Sequence, residues 1–177
     1  MKNTSKVFGL FSQPFYINEI KDFPLAPTIK YLDKEKFIKV DYGLSNQGQA
    51  TSTSIGSTHN VLELKRFKKL KARLLKEFTY FKNEYLKYTN NDFAITTSWI
   101  TKSEPGEFSH IHNHRNSFFS GIFYLQVPTN SGMICFENYL EANYIKLIAS
   151  EYNLHNSSHY NVMPQSGTIL FFPSSVY

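Results

Sequence analysis

Ser109-His110-Ile111-His112-Asn113-His114-Arg115-Asn116-Ser117 places three of the chain's six histidines within five residues. A strand sends alternate side chains to one face, so His110, His112 and His114 can share a surface at steps of about 7 Å. Neutral imidazoles gathered in this way can hold a transition metal. The stretch follows Pro105-Gly106 and precedes the apolar run 117–127. A β-barrel would place its ligands at such a point, at a strand end beside a cavity. An exposed polar turn is the plainer account of the same residues.

Working outward, the second half of the chain alternates apolar runs with turn signals. Residues 93–101 around Trp99, 117–127, 133–136 and 168–172 read as strands, with turns at 102–106, 128–132 and 164–167. Residues 138–158 form a longer insertion with a short helix near 140–149. In the first half, 7–11 and 15–17 read as short strands around Pro14, 22–27 as a loop, and 28–40 as helix or strand. Residues 44–59 are polar, without period, and read as a loop.

The clearest helix carries Leu64, Phe67, Leu70, Leu74, Phe78, Phe81 and Tyr85 at steps of three and four. Thr58, His59 or Asn60 can cap its start. The opposite face carries Lys65, Arg66, Lys68, Lys69, Lys71, Arg73 and Lys76. A solvated face explains these charges; an anion-binding surface is the sharper reading, though the run shows no aromatic platform beside them.

At 177 residues the chain reads as one domain, 1–177, with a helix-bearing half (1–92) and a barrel half (93–177). Sixteen Phe and twelve Tyr suit a sheet-rich interior. The net charge of +5 permits a nucleic acid partner without requiring one. The single Cys135 excludes an intrachain disulfide and suits a reducing, cytoplasmic setting; between Ile134 and Phe136 it reads as a small buried residue. No apolar run is long enough for a signal peptide or a membrane span.

Trp99, Pro105-Gly106, His112-x-His114-x-Asn116-Ser117, Ser120-Gly121, Phe123-Tyr124-Leu125 with Pro128, Pro164-x-x-Gly167 and Phe172-Pro173-Ser174 fall in order. This series resembles the 2-oxoglutarate and iron(II)-dependent oxygenases of bacterial and phage type. The resemblance implies a double-stranded β-helix (jelly-roll) core, mainly β, backed by the long amphipathic helix. It implies a dioxygenase that hydroxylates a substrate the sequence does not name, with iron(II), 2-oxoglutarate and oxygen as partners in the reaction. By position, His112 matches the first metal ligand and His114 the second, where the wider superfamily carries Asp or Glu. His110 is a third candidate. Tyr124 matches a cosubstrate neighbour, Ser117 and Asn116 residues that steady a ligand loop, and Glu137 is a candidate for the missing carboxylate. His155 and His159 read as solvent-exposed loop residues. The family's distal histidine and its 2-oxoglutarate-binding basic residue would follow Ser174, so the resemblance implies an incomplete C-terminus.

Other classes compete. A cupin-like metal-binding domain also displays close histidines on a barrel, but no Glu follows His114 at three to five residues. A catalytically inactive β-barrel binding domain fits the incomplete motif set, and a nucleic-acid-binding module would use the basic helix.

Overall fold

The computed structural model describes residues 5–37, 51–53, 60–138 and 148–177. In chain order the strands are β1 (Tyr16–Glu19), β2 (Thr51–Thr53), β3 (Ile100–Lys102), β4 (Phe119–Phe123), β5 (Ile134–Glu137), β6 (His159–Val162) and β7 (Thr168–Pro173). Helix α1 (Ala26–Leu32) follows β1, and α2 (Lys68–Tyr80) lies between β2 and β3.

β7 is the centre of a three-stranded sheet, antiparallel to β1 on one side and β4 on the other. Its sequence, Thr-Ile-Leu-Phe-Phe-Pro, is apolar on both faces, as a strand covered on two sides requires. Ile169 and Phe171 point toward α2, where they join Tyr16, Phe78, Phe81, Phe119 and Phe123. Leu170 and Phe172 point the other way, against Ile122, Tyr124, Phe136 and Val162, so the β5–β6 ribbon covers that face. The turn into β7 needs a positive φ, which Gly167 supplies at +92°. Its N–H donates to Tyr124 O at 2.7 Å and its carbonyl accepts Ile20 N–H at 2.8 Å, joining both neighbouring strands.

The apolar stripe at helical spacing becomes two short 3₁₀ turns (Val61–Glu63 and Lys65–Phe67), α2, and a π-turn at Phe81–Tyr85. Phe67 and Leu70 bury against Leu32 and Val61, while Leu74, Phe78 and Phe81 lie over the sheet. Glu77 faces inward beside them and is buried. It is matched by partners: the Tyr16 hydroxyl donates to Oε1 at 2.5 Å, the Asn18 amide to Oε1 at 2.6 Å, and Arg73 Nη1 to Oε2 at 2.7 Å. Tyr16 and Asn18 are two residues apart on β1 and so share a face. Burial alone would raise the Glu77 pKa, but these three donors outweigh it and hold the carboxyl below its ordinary range.

The double-stranded β-helix is overturned. Among the described residues the strands make one three-stranded sheet and two separate two-stranded ribbons, β2–β3 and β5–β6, with no closure into a barrel. α2 backs one face of the central sheet as expected, but on the opposite face, where a second large sheet would lie, the described residues place only the two-stranded β5–β6 ribbon. Residues 7–11 form no strand; a turn at Leu10 and Phe11 leaves Val7, Phe8, Leu10 and Phe11 exposed. Residues 93–101 ladder only from Ile100, apart from a bridge between Ser98 and Asn60. β2 falls within the stretch read as loop, and β6 lies just past the insertion. Most of residues 44–59 and 140–149, including Thr58 and His59, lie outside the described residues.

Candidate functional site

β7 ends at Pro173, and the next residue, Ser174, is 1% exposed. Ser174 holds three segments together. Its N–H donates to Phe118 O at 3.1 Å, its carbonyl accepts His114 N–H at 3.0 Å, and its hydroxyl bonds the Ser120 hydroxyl at 2.8 Å. The histidine segment is thereby fixed across the end of the central sheet. Residues 109–114 belong to no strand, so the imidazoles do not share a strand face; the segment is placed by Ser174 and by the turn at Arg115-Asn116, where Asn116 takes φ +69°.

His112 and His114 come together, their ring centroids 4.9 Å apart and their planes at 83°. His112 Nδ1 lies 2.7 Å from the His110 carbonyl oxygen. A carbonyl only accepts, so in neutral His112 the proton sits on Nδ1 and the lone pair on Nε2. A metal-binding histidine commonly has its other nitrogen tied in this way. His114 is half-buried, with Trp99 at 5.3 Å between ring centroids. Burial, and then the neighbouring His112, hold its pKa below the ordinary 6.5, so its imidazole is neutral at neutral pH.

His110 turns away. It is exposed, packs edge-on against Phe108 at 5.2 Å, and reaches the pair through its carbonyl oxygen. Tyr124 follows β4 and lies on the same sheet face as Ser120, four residues or about 13 Å further along. Its ring is half-buried against the β5–β6 ribbon, and burial pushes its hydroxyl up to about 12. Ser117 is exposed, directly after the positive-φ Asn116. Glu137 sits on β5 opposite His159 of β6, and His155 is exposed. Cys135 is exposed rather than buried, because the β5–β6 ribbon packs one face only and Phe136 takes the inward position.

Two open hollows lie toward the Thr168 end of β7, away from the pair. One of about 260 Å³ is lined by residues of the turns 127–131 and 163–166, and one of about 290 Å³ by Ile17, Asn18, Glu19, Met163, Gln165 and Thr168.

Sequence reasoning assigned Ser174 and Ser120 to a motif without giving them a task. The signal available was their shared face, since Ser120 pairs with Phe172 in register and Ser174 lies two residues beyond.

Residues 97–177 match a family model described as "Putative 2OG-Fe(II) oxygenase". The chain resembles that family over this part, which contains the histidine pair, Trp99, β4 and β7. No curated protein matches the chain.

The separation of the pair is that of an ordinary edge-to-face ring contact, and it is also compatible with two imidazoles on one divalent metal. Imidazoles bound at about 2.1 Å through nitrogen, at bond angles of roughly 90–110°, have centroids about 4.5–5.2 Å apart, a range that includes the observed 4.9 Å. Among the described residues no group of three His, Cys, Asp or Glu side chains is placed to hold a metal ion. Among the described residues, no helix is long and apolar enough to cross a membrane.

Proposed function

We propose that the chain is an iron(II)- and 2-oxoglutarate-dependent oxygenase-like protein in which His112 and His114 hold the metal. The observation that carries this reading is the pairing of the two rings at 4.9 Å with Nδ1 of His112 tied to a carbonyl. That tie leaves the lone pair of neutral His112 on Nε2. The family match over residues 97–177 supports the choice of iron and 2-oxoglutarate over other metal chemistry. When bound, the two would supply oxidation of a substrate C–H bond by oxygen.

The chain's own residues prepare the site. Ser174 fixes the backbone of His114, and so the bite between the rings. Trp99 covers one side of His114 and limits water there. Ser117, beside the histidine turn, is proposed as a cosubstrate contact; Tyr124 lies at the far end of the sheet face that carries Ser120, beside Thr168. His112 and His114 would supply two neutral donors to iron, and a third protein donor is not among the described residues.

Anaerobic titration with iron(II), or with cobalt(II) as a stable substitute, tests the assignment. Trp99 is the chain's single tryptophan and lies beside His114, so its emission reports metal arrival. Saturable quenching that disappears in His112→Ala is the expected result; equal quenching in the variant would remove the pair from the site. The lack of a third donor among the described residues favours a second reading, a metal-binding domain without turnover. Succinate release from 2-oxoglutarate separates the two.

A further inference from the structure

The cations of α2 and the turn before it divide into two sets. Arg66 stacks on the Tyr31 ring at 4.3 Å and pairs with Glu35, Lys71 pairs with Glu63, and Arg73 bridges Asp22 and Glu77. Lys65, Lys68, Lys69 and Lys76 are exposed and take part in none of these salt bridges. At 100° per residue Lys68, Lys69 and Lys76 fall with Ala72, Thr79 and Tyr80 on one stripe of α2, which contains no Asp or Glu, and Lys65 precedes it on the 3₁₀ turn. Flanking acids are engaged elsewhere: Glu63 by Lys71, Asp22 by Arg73, and Glu84 by Lys87. Lys76 contributes only a longer-range attraction to Asp22.

The stripe ends on exposed aromatic rings, which the sequence alone does not reveal. Tyr80 is 51% and Tyr85 62% exposed, with ring centroids 5.8 Å apart. In an α-helix residues five apart diverge by about 140°. The π-turn at Phe81–Tyr85 closes that gap and sets Tyr85 beside Tyr80. A row of lysines without a salt bridge among the described residues, leading to an exposed tyrosine ring, is the combination that binds a single strand, with phosphates on the cations and a base on the ring. Tyr85, itself packed on Tyr16 and Phe81, stands edge-on to Tyr80 and supports it. The stripe offers no large aliphatic side chain to enter a bilayer.

We propose that the exposed face of α2 binds single-stranded nucleic acid, with Lys65, Lys68, Lys69 and Lys76 on the backbone and Tyr80, supported edge-on by Tyr85, stacking on a base. From Lys68 to Tyr80 the helix rises about 18 Å, room for several phosphates of a strand that carries one charge per about 3.4 Å in B-form geometry. This surface is independent of the histidine pair.

Fluorescence anisotropy with a labelled oligothymidylate, repeated over a range of salt, tests it. Four phosphate contacts predict that log affinity falls against log salt with a slope of about −3. Lys68→Gln/Lys69→Gln should make the slope shallower by about 1.4. Tyr80→Ala should weaken binding by roughly fivefold or more while leaving the slope unchanged. All three side chains are exposed, so unfolding temperatures should match the parent; Lys65→Gln/Lys76→Gln serves as a second variant if one does not. No binding at low salt, equal binding by the lysine variants, or preference for a duplex or for phosphatidylserine vesicles would each overturn the proposal.

Discussion

Glu77 on α2 and Tyr16 on β1 are joined by a buried hydrogen bond of 2.5 Å, the most direct polar link between the helix and the sheet. Glu77→Gln removes the charge that three donors were arranged to meet, and should cost about 2 kcal/mol. Tyr16→Phe should cost less than that, and a double-mutant cycle by urea unfolding should show coupling between the two sites.

The same carboxylate makes stability depend on acid. Its folded pKa lies below the unfolded 4.5, so the unfolded chain binds the proton more readily. The contribution is fully present above 4.5 and is lost as pH falls through the folded value. Parent and Glu77→Gln should therefore converge in unfolding free energy under strong acid, whereas a constant gap would count against the linkage.

His114 should titrate below 6.5 in the metal-free chain, followed by the imidazole proton signals in NMR. The unfolded state takes up its proton first as pH falls, so this group lends stability above 6.5 and withdraws it below. Burial is the larger cause and His112 the smaller. His112→Ala should accordingly raise the value only part of the way back.

Ser174→Ala leaves the backbone bond to His114 in place but strips the Ser120 hydroxyl of its partner. A loss of about 1–2 kcal/mol is expected, with metal affinity within a few-fold of the parent. A large loss of affinity at unchanged stability would mean that the hydroxyl itself serves the site.

Gly121 faces Phe171 across the sheet, and a Cβ there would meet two ring carbons at 2.9 Å. The ring is itself stacked on Phe81 at 5.9 Å and on Tyr16 at 5.7 Å, which leaves it little room to retreat. Gly121→Ala should cost about 1–3 kcal/mol in thermal or urea unfolding.

Local patterns were readable and distant ones were not. The short apolar runs of β4 and β7 and the stripe of α2 mark their elements because each pattern lies within a few residues. β6 escaped notice because His-Tyr-Asn-Val buries only Val162 and carries no alternation of its own. The histidine pair was visible from its spacing, but not the reason for its geometry. Ser174 lies sixty residues from His114, and Glu77 sixty-one from Tyr16. The jelly-roll expectation followed from the ordered motifs of the second half; it failed because the face opposite α2 carries only the short β5–β6 ribbon among the described residues, not a second sheet that closes on the first.

The middle strand of the central sheet is made long after its neighbour. Tyr16 pairs with Phe171, a separation of 155 residues (171 − 16). While the polypeptide emerges, β1 and β4 have no template between them, and their aromatic surfaces must wait. Such topology makes folding slow, and the sheet cannot be completed until Pro173 has been made.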